Sequence, residues 1–256
     1  MSENSSTKSL ALLVSHDTIT FLTKTNQHDE LFYSEPIVIA MKDLNQSVAY
    51  EEIEGMIKNH LPLLLYYNQI IVCYQSTPVV IVPQAYLDER SETNYIQKWP
   101  QDQLVCPLSK IDASIAFNNF GHLYKVFQNL PNFTNAIYTH TAKKFLDRIK
   151  YDREKIQVFA QLINQKLELC IYNKGIFTLY NIYDIIGDDD IVYHILNTMQ
   201  QLQLDPSQVE VSLDGNVSAD HPVYEHLPKY VHSVSSNEDI QEKGPKYLLY
   251  KIFECE

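Results

Sequence analysis

The spacing of apolar residues along the chain predicts strands and helices in an order that occurs twice. In the first half, three runs rich in β-forming residues predict strands at Leu10–Ser15, Thr18–Thr23 and Leu31–Ile39. A helix, a strand, a short strand and a further helical segment follow, at about Gln46–Leu61, Gln69–Tyr74, Val79–Val82 and Pro83–Trp99. The helix is predicted because its apolar residues recur at roughly helical spacing.

The second half repeats this order of three strands, a helix, a strand and a helix. These elements are predicted at Ile156–Ile163, Leu167–Tyr172, Ile176–Tyr183, Asp188–Gln203, Val209–Leu213 and Val223–Tyr230. Between the halves we expect a strand or hairpin, a short helix, a strand and a helix, at Leu104–Phe120, His122–Asn129, Ala136–His140 and Ala142–Tyr151. A loop and a last strand are predicted at the end, at Ser235–Lys246 and Tyr247–Phe253.

This order of elements predicts the fold class. Three antiparallel strands followed by a helix and a parallel strand are the ribonuclease H-like plan, and two such units in tandem form the actin-like ATPase fold. We therefore predict a mixed α/β (α+β) protein. The first unit is expected at residues 1–152, with an inserted strand and helix segment at about 104–140, and the second at 153–256. A fold argument alone says nothing about function.

Several strings of residues resemble a known family. They are "VPQAYLDE", "LYNIYD", "DDDIVYHILNTMQQLQLD", "VEVSLDGN" and "YEHLPKYV". They are similar to the pattern of an uncharacterised bacterial family of about this length, whose function is unknown and whose fold is a degenerate actin-like ATPase fold. The resemblance spans essentially the whole chain and is most specific between Leu179 and Val231. It implies the fold and a bacterial origin, and it implies no activity and no catalytic residue.

The charge of the chain argues against nucleic acids and membranes as partners. The sequence has 20 basic and 32 acidic residues, which give a formal net charge of −12. Nucleic acids and anionic membranes are bound mostly through basic side chains. The four cysteines are scattered without a CxxC pair, and the apolar run near the N-terminus is too short for a signal peptide or a membrane span. We expect a cytoplasmic protein without disulfides or zinc.

The turns that would bind a nucleotide depart from the pattern that the fold class implies. Actin-like ATPases hold phosphates with hairpin turns rich in Asp and Gly, because glycine lets backbone N–H groups approach and aspartate organises Mg²⁺. The first hairpin turn has Asp17 but no glycine, and the β-branched Thr18 and Ile19 after it would crowd a phosphate. The whole chain has only 6 glycines.

Two further turns supply the remaining candidates. The hairpin turn in the second half that would correspond to a phosphate turn offers Lys174 and Gly175 without an acid. We predict that its main role is to connect the two strands of a β-hairpin. The turn in the position that holds adenosine offers Asp214 and Gly215. We therefore name Asp17, Lys174, Gly175, Asp214 and Gly215 as candidates for a nucleotide-binding cleft, and predict no catalytic and no metal-binding residue.

Other chemistries lack their residues. A two-metal nuclease of the ribonuclease H type needs a carboxylate on its first strand, and neither Leu10–Ser15 nor Ile156–Ile163 carries one. The three aspartates Asp188–Asp190 are expected to cap a helix. The spacing of His221, His226 and His232 fits no standard zinc site.

Two functions remain open from the sequence. The first is a non-catalytic pseudo-ATPase that works in the cytosol as a binding or scaffold module for an unknown protein partner, without a cofactor. Its binding surface would be an apolar groove or a free sheet edge that accepts a peptide strand. The alternative is a nucleotide-binding protein or weak ATPase that uses ATP and Mg²⁺ with unorthodox turns at Asp17, Lys174 and Gly215. A homodimer is compatible with the first function.

Overall fold

The structure is a computed structural model, and it describes residues 7–27, 30–42, 44, 48–87, 95, 102–163, 165–215, 217–218, 220–236 and 247–254. The chain forms two compact units, and each is described by itself. Unit 1 comprises Met1–Lys144 and Lys251–Glu256, and unit 2 comprises Phe145–Tyr250. The expected boundary between residues 152 and 153 concerns the repeated units and stays a prediction.

Unit 1 is built on a six-stranded sheet. Its strands are β1 (Thr7–Val14), β2 (Thr18–Gln27), β3 (Glu30–Tyr33), β4 (Ile37–Ala40), β5 (Gln69–Tyr74) and β9 (Ile137–His140). The strand order is β3-β2-β1-β5-β9, and β4 pairs with β2 beside β3. β1, β5 and β9 are parallel, whereas β2 runs antiparallel to β1. In the central strands β1 and β5, the successive residues Leu10–Val14 and Ile70–Tyr74 are buried, which is the pattern of strands that are covered on both faces.

A second, antiparallel sheet belongs to the same unit. It contains β6 (Val79–Pro83), β7 (Gln103–Pro107) and β8 (Ala113–Asn118) in the order β6-β8-β7. The helices of this part of the chain are α1 (Tyr50–Lys58), α2 (His122–Asn129) and α3 (Thr141–Arg148). α2 buries Leu123, Val126 and Phe127, and the ring of Phe127 stacks on that of Phe133 with a centroid distance of 4.9 Å.

Unit 2 has a five-stranded sheet with the same connectivity. Its strands are β10 (Ile156–Ile163), β11 (Lys166–Asn173), β12 (Ile176–Asp184), β13 (Val209–Gly215) and β14 (Ser233–Ser236), in the order β12-β11-β10-β13-β14. When β3 and β4 are counted together as the third strand of unit 1, the order in both sheets is third, second, first, fourth and fifth strand. α4 (Asp188–Gln201) and α5 (Val223–His226) contribute Ile191, Ile195, Met199 and Val223 to the core on one face of this sheet.

Aromatic side chains cover part of the opposite face of the unit 2 sheet. Tyr172 is fully buried between rings of three other residues, and its ring stacks on that of Tyr151 at 4.1 Å. Phe159 and Phe177 contact Tyr172 edge to face, at 6.2 and 5.7 Å between ring centroids. Many of the tyrosines thus serve packing, as expected for residues that favour sheet faces.

The last predicted strand is wrong, because the segment is a helix. α6 spans Tyr247–Glu254, and its residues Leu248, Leu249, Ile252 and Phe253 are buried. These positions are separated by one, three and one residues along the chain. In a helix this spacing places the four apolar side chains on one face. Within unit 1, the ring of Phe253 lies 6.2 Å from that of Tyr33, and Lys24 Nζ lies 5.4 Å above the Phe253 ring.

Three other predictions need correction. The third strand is two strands, β3 and β4, because Pro36 has no N–H to donate to a ladder and the chain leaves the sheet at 34–36. The helical segment from Pro83 is a 3₁₀ turn at Gln84–Tyr86, and its continuation at 88–94 and 96–101 lies outside the described residues. The predicted loop at Ser235–Lys246 begins inside β14, a strand that the pattern missed, and its remainder is not described.

Candidate functional site

The side chains of Ser15 and Asp17 are hydrogen-bonded within the turn between β1 and β2, while two carbonyl oxygens of the turn accept N–H groups from the segment after β4. The Ser15 N–H donates to the Thr18 carbonyl oxygen at 2.9 Å, and the Thr18 N–H donates to Ser15 Oγ at 3.1 Å. Ser15 Oγ in turn donates to Asp17 Oδ1 at 2.9 Å. The Asp17 side chain is about half exposed and has His16 Nε2 at 3.8 Å, while Ile19 is buried in the core. Asp17 therefore helps to close a tight hairpin.

A buried polar network that the sequence did not reveal lies at the carboxyl ends of the neighbouring parallel strands. The Ala142 N–H donates to His140 Nδ1 at 3.0 Å, and His140 Nε2 lies 3.0 Å from the Ser76 carbonyl oxygen. A neutral ring with its proton on Nε2 satisfies both bonds. Burial lowers the pKa of His140 to about 3. Ser76 Oγ donates to the Asn118 carbonyl oxygen at 2.7 Å, so no serine–histidine nucleophile forms.

Lys174 and Gly175 form the turn of a β-hairpin. Their φ angles are +49° and +78°, and two successive positive values are those of a type I′ turn, which matches the twist of the strands. The Lys174 N–H donates to the Lys155 carbonyl oxygen at 2.8 Å. A Cβ atom on Gly175 would lie 3.1 Å from Arg153 Cγ. The geometry of these residues is accounted for by the turn.

Asp214 is engaged by two neighbours within unit 2. Its Oδ1 accepts the Gly215 N–H at 2.7 Å, and its Oδ2 lies 3.4 Å from Arg148 Nη2. The side chains of Asp214 and Arg148 are only 14% and 16% exposed. Arg148 Nη2 also donates to Oε1 of Gln161, which is fully buried beside Asp214 in the register of β10 and β13. The guanidinium compensates the carboxylate, so Asp214 is an ion-pair partner in the structure.

Gly215 is required by a close approach of two strands. Its φ angle is +86°, and a Cβ atom built on it would lie 2.1 Å from the carbonyl oxygen of Leu162 on β10. Real Cβ atoms do not approach a backbone oxygen so closely, because the electron clouds repel. The glycine therefore permits β13 to pair with β10 at its last residue.

The candidates of unit 2 lie at opposite ends of its sheet. Asn173, next to Lys174, pairs with Ile156 at the start of β10, whereas Gly215 pairs with Leu162 near its end. At the rise of a strand this separates the two turns by about 20 Å. The turn that corresponds to the β1–β2 turn is that between β10 and β11, which has Gln165 at a φ of +61° and no glycine. The structure thus does not bring Lys174 and Gly175 together with Asp214 and Gly215.

The three aspartates at the start of α4 are held by protein groups. Asp190 Oδ2 accepts the N–H groups of Ile186 and Gly187 at 2.8 and 3.0 Å, and these bonds lower the pKa of Asp190. Asp188 and Asp189 lie 3.3 and 3.6 Å from ring nitrogens of His221 and His226. In the described part of the chain, no three His, Cys, Asp or Glu residues are grouped so that they could hold a metal ion. None of its helices is long and apolar enough to cross a membrane.

Among the described residues, the outer edge of β12 is a surface that none of these turns and ion pairs explains. Within the described residues, β12 pairs only with β11 and ends the sheet. Its sequence, IFTLYNIYD, carries one charged residue and no proline. Natural proteins protect such edges with lysine, proline or short strands, because a free edge pairs with other chains. The main irregularity is a register shift near Phe177, so the edge is regular from Leu179 to Asp184.

The hydrogen-bond ladder shows which backbone groups point outward. The Ile185 N–H donates to the Gln165 carbonyl oxygen at 2.8 Å, which makes this a hydrogen-bonded pair. Because inward and outward groups alternate along an antiparallel strand, Tyr180, Ile182 and Asp184 direct their N–H and C=O groups away from β11. The Ile182 N–H is capped by Asn181 Oδ1 at 2.9 Å. A local side chain thus occupies the place of a partner strand.

Exposed apolar side chains surround this edge. Ile176 begins β12 and is 70% exposed, and Ile186, just after its end, is 95% exposed. On α4, Tyr193 is 60% exposed and its ring lies 5.2 Å from that of His194, which stacks on Tyr183 of β12 at 4.4 Å. Large exposed apolar residues grouped in this way are typical of protein interaction sites.

Unit 1 has a comparable edge that is blunted. β3 and β4 expose Leu31, Phe32 and Val38, but the two strands have four residues each and are separated by 34–36, which includes Pro36. A partner strand that lies along this edge would lose its hydrogen bonds in the middle. The β12 edge is therefore the better site for strand pairing.

Comparisons with known proteins agree with the architecture. A family model described as "Protein of unknown function (DUF3822)" matches residues 1–234. A solved protein of Bacteroides thetaiotaomicron with an actin-like ATPase fold and unknown function superposes with a TM-score of 0.70 at 14% identity, and the match covers 98% of this chain and 99% of that one. The PilM–PilN type IV pilus biogenesis complex contains a chain that matches with a TM-score of 0.58 at 11% identity, covering 96% and 97%. No curated protein sequence matches.

These comparisons confirm the predicted fold class, the actin-like ATPase fold built of two ribonuclease H-like units. They also confirm the resemblance to a family of unknown function. At identities of 14% and 11% they show the fold alone. The β12 edge was not named as a candidate from the sequence. The signal that could have found it is the uncharged run of β-forming residues at Ile176–Tyr183.

Proposed function

The chain belongs to the family DUF3822 of proteins of unknown function, and we propose that it is a non-catalytic binding module with a pseudo-ATPase fold. Its ligand is a protein segment in extended conformation that pairs with the outer edge of β12. The observation that carries this proposal is the edge itself, with outward backbone groups at Tyr180, Ile182 and Asp184 and exposed apolar side chains around it.

The structural contacts of the residues that were candidates for nucleotide binding support a role without a cofactor. Asp17 accepts a hydrogen bond inside its own turn, and Asp214 is paired with Arg148. The backbone of Leu162 occupies the space beside Gly215. Lys174 and Gly175 form a hairpin turn at the opposite end of the unit 2 sheet from Gly215. We therefore propose that neither ATP nor Mg²⁺ is needed, and that the alternative of a weak ATPase is the less favoured one.

The charge and the relatives indicate what kind of partner to expect. A net charge of −12 favours a protein partner over nucleic acid or an anionic membrane, and within the cytoplasm it favours a neutral or basic segment. PilM, of similar fold, forms a complex with PilN. A fold that forms a protein complex elsewhere supports a binding role here, by analogy.

Two proline variants test the proposed site. Ile182→Pro removes an outward N–H and leaves the bonds between β12 and β11 in place, so the sheet should survive while pairing is blocked. Val38→Pro is the matched control, because Met41 donates to Asp17 and the alternation therefore turns the Val38 N–H outward on β4. Both variants change a β-branched residue on an edge strand, and circular dichroism and thermal unfolding check that each is folded.

The measurement is peptide binding to the full chain. Peptides are selected by phage display on the wild-type protein, labelled with a fluorophore and titrated by anisotropy. We expect sequences with alternating apolar residues that bind wild type and Val38→Pro equally and bind Ile182→Pro at least about tenfold more weakly. Equal binding to a folded Ile182→Pro, or a selection without extended apolar sequences, would contradict the proposal.

A further inference from the structure

A partner strand on the β12 edge directs one of its side chains towards α4. Ile182 and Asp184 have outward backbone groups, so in an antiparallel pairing a ligand residue opposite Tyr183 lies between two hydrogen-bonded pairs. Residues directly opposite each other in neighbouring strands point to the same face of a sheet. The Tyr183 side chain points to the α4 side, because its hydroxyl lies 3.0 Å from Thr198 Oγ1 and its ring stacks on His194. The ligand residue opposite Tyr183 therefore points to the same side.

A carboxylate and an aromatic ring of α4 lie near this position. Asp190 and His194 are one helical turn apart, and Tyr193 lies beside His194 with 5.2 Å between the ring centroids. Tyr193 is 60% exposed, and Asp190 is partly exposed. Asp190 Oδ2 accepts the N–H groups of Ile186 and Gly187, directly after the end of β12. The ring and the carboxylate are thus within reach of a long side chain on a ligand strand.

The charge at this end of the edge is negative. Both N–H groups bind the same oxygen of Asp190, which leaves its Oδ1 for a ligand. The two bonds lower the pKa of Asp190, so its side chain is ionised at neutral pH. Asp188 and Asp189 at the start of α4 are 64% and 91% exposed, and the histidine ring beside each leaves its charge uncompensated while that ring is neutral. This charge attracts a basic ligand residue and repels an acidic one.

We propose that the extended segment bound at the β12 edge carries an arginine opposite Tyr183, and that this arginine binds Asp190 and stacks on Tyr193. A planar guanidinium suits both partners, because it donates hydrogen bonds to a carboxylate and stacks on aromatic rings. The apolar stem of the arginine lies along Ile186, which is 95% exposed beside Asp190. This inference rests on the proposed function of the same edge and names the ligand residue that determines specificity.

The test uses the peptides that phage display selects on the wild-type chain and that Ile182→Pro binds more weakly. We expect these peptides to carry an arginine among apolar β-forming residues. In each peptide the arginine is replaced by glutamine, and binding of both forms to the full chain is measured by fluorescence anisotropy. The Kd of the glutamine form should be about fivefold to twentyfold higher, because an ion pair and a cation–π contact are both lost.

Two variants of the chain remove the partners of the arginine one at a time. Asp190→Asn removes the charge but keeps an oxygen that accepts the two backbone N–H groups, and Tyr193→Ala removes the ring. Each should weaken binding of the arginine peptide about twofold to fivefold. Each should bind the glutamine peptide as wild type does, which also shows that the variant is folded.

The matched controls are Asp205→Asn and Tyr230→Ala, which lie in unit 2 outside α4 and β12. Asp205 also accepts a backbone N–H, that of Ser207 at 3.0 Å, and Tyr230 is 57% exposed. Both controls should bind the arginine peptide like wild type. A loss of affinity that Asp205→Asn shares with Asp190→Asn would contradict the inference, because the effect would then come from the net charge and not from a contact.

The outcomes separate this inference from the proposed function. Selected peptides without an arginine, or arginine peptides that bind Asp190→Asn and Tyr193→Ala as tightly as wild type, would overturn the inference. If Ile182→Pro still weakens their binding, the edge stands as the binding site. Equal binding of every selected peptide to a folded Ile182→Pro would overturn the proposed function and the inference together.

Discussion

At the scale of single residues, polar side chains at the strand ends are held by close neighbours. Asp214 is paired with Arg148, Asp17 accepts from Ser15, and His140 is bonded through both ring nitrogens. Each of these residue types occurs in catalytic sites, and the sequence alone cannot tell a catalytic aspartate from an ion-paired one. The difference lies in neighbours that are distant in the sequence, such as Arg148 for Asp214.

His140 predicts a pH dependence of stability. Because its pKa is lowered to about 3 in the folded state, the folded chain keeps it neutral while the unfolded chain protonates it below its ordinary value of 6.5. The unfolded state therefore binds more protons as the pH falls, and the free energy of unfolding should decrease between pH 6.5 and 3. The largest slope from this residue is about 1.4 kcal/mol per pH unit.

The variant His140→Gln should lose this part of the slope, measured by urea unfolding between pH 7 and 5, where few carboxylates titrate. It should be less stable than wild type at pH 7, because the bonds to Ser76 and Ala142 are weakened. His16→Gln is the control, since solvent reaches the His16 ring in the folded protein too. An unchanged slope in His140→Gln would show that His140 is not kept neutral by the fold.

At the scale of elements, the sequence predicted most strands and helices because their patterns are local. The strands Gln69–Tyr74 and Ile156–Ile163 and the helix His122–Asn129 agree with the prediction to the residue. The prediction of a last strand was wrong because apolar residues in a segment as short as Tyr247–Glu254 suit both a strand and a helix. Tertiary packing decides between them, as in the contact of Phe253 with Tyr33 within unit 1. β14 was missed because Ser233–Ser236 has little apolar pattern.

The candidate site was harder to predict than the elements. Consecutive antiparallel strands place their turns at alternate ends of a sheet, so the turn with Lys174 and Gly175 cannot lie beside Asp214 and Gly215. That rule was available from the sequence. The free edge of β12 could not be predicted from the sequence, because the order of strands in a sheet depends on contacts between distant segments.

The close approach of β13 to β10 makes Gly215 the most sensitive glycine that the structure describes. Gly215→Ala places a Cβ atom 2.1 Å from the Leu162 carbonyl oxygen at a φ of +86°, so one strand must move. We expect a loss of about 3 kcal/mol or more in the free energy of unfolding, measured by urea denaturation. Gly55→Ala is the matched control in α1, where nothing lies within 4 Å of the added atom. It should stabilise by up to about 1 kcal/mol. Similar values for both variants would contradict the close approach.

At the scale of the whole molecule, the chain has an actin-like ATPase fold. The turns that were candidates for nucleotide binding make hydrogen bonds and close contacts that stabilise the fold. Its composition agrees with this, since the 6 glycines are few for a protein that wraps phosphates with backbone groups. The proposed function therefore assigns binding to a sheet edge and not to a nucleotide. The direct consequence is that the stability of the full chain should not respond to nucleotides.

The measurement that tests this central claim most directly is thermal unfolding of the full chain with and without millimolar Mg-ATP and Mg-ADP. A nucleotide present at 100 times its Kd stabilises a protein by about 2.7 kcal/mol. For a chain of 256 residues this corresponds to a rise in Tm of roughly 5–11 °C. We predict no shift with either nucleotide. A rise on that scale would contradict a pseudo-ATPase and would make Asp17 and Lys174 the next residues to substitute.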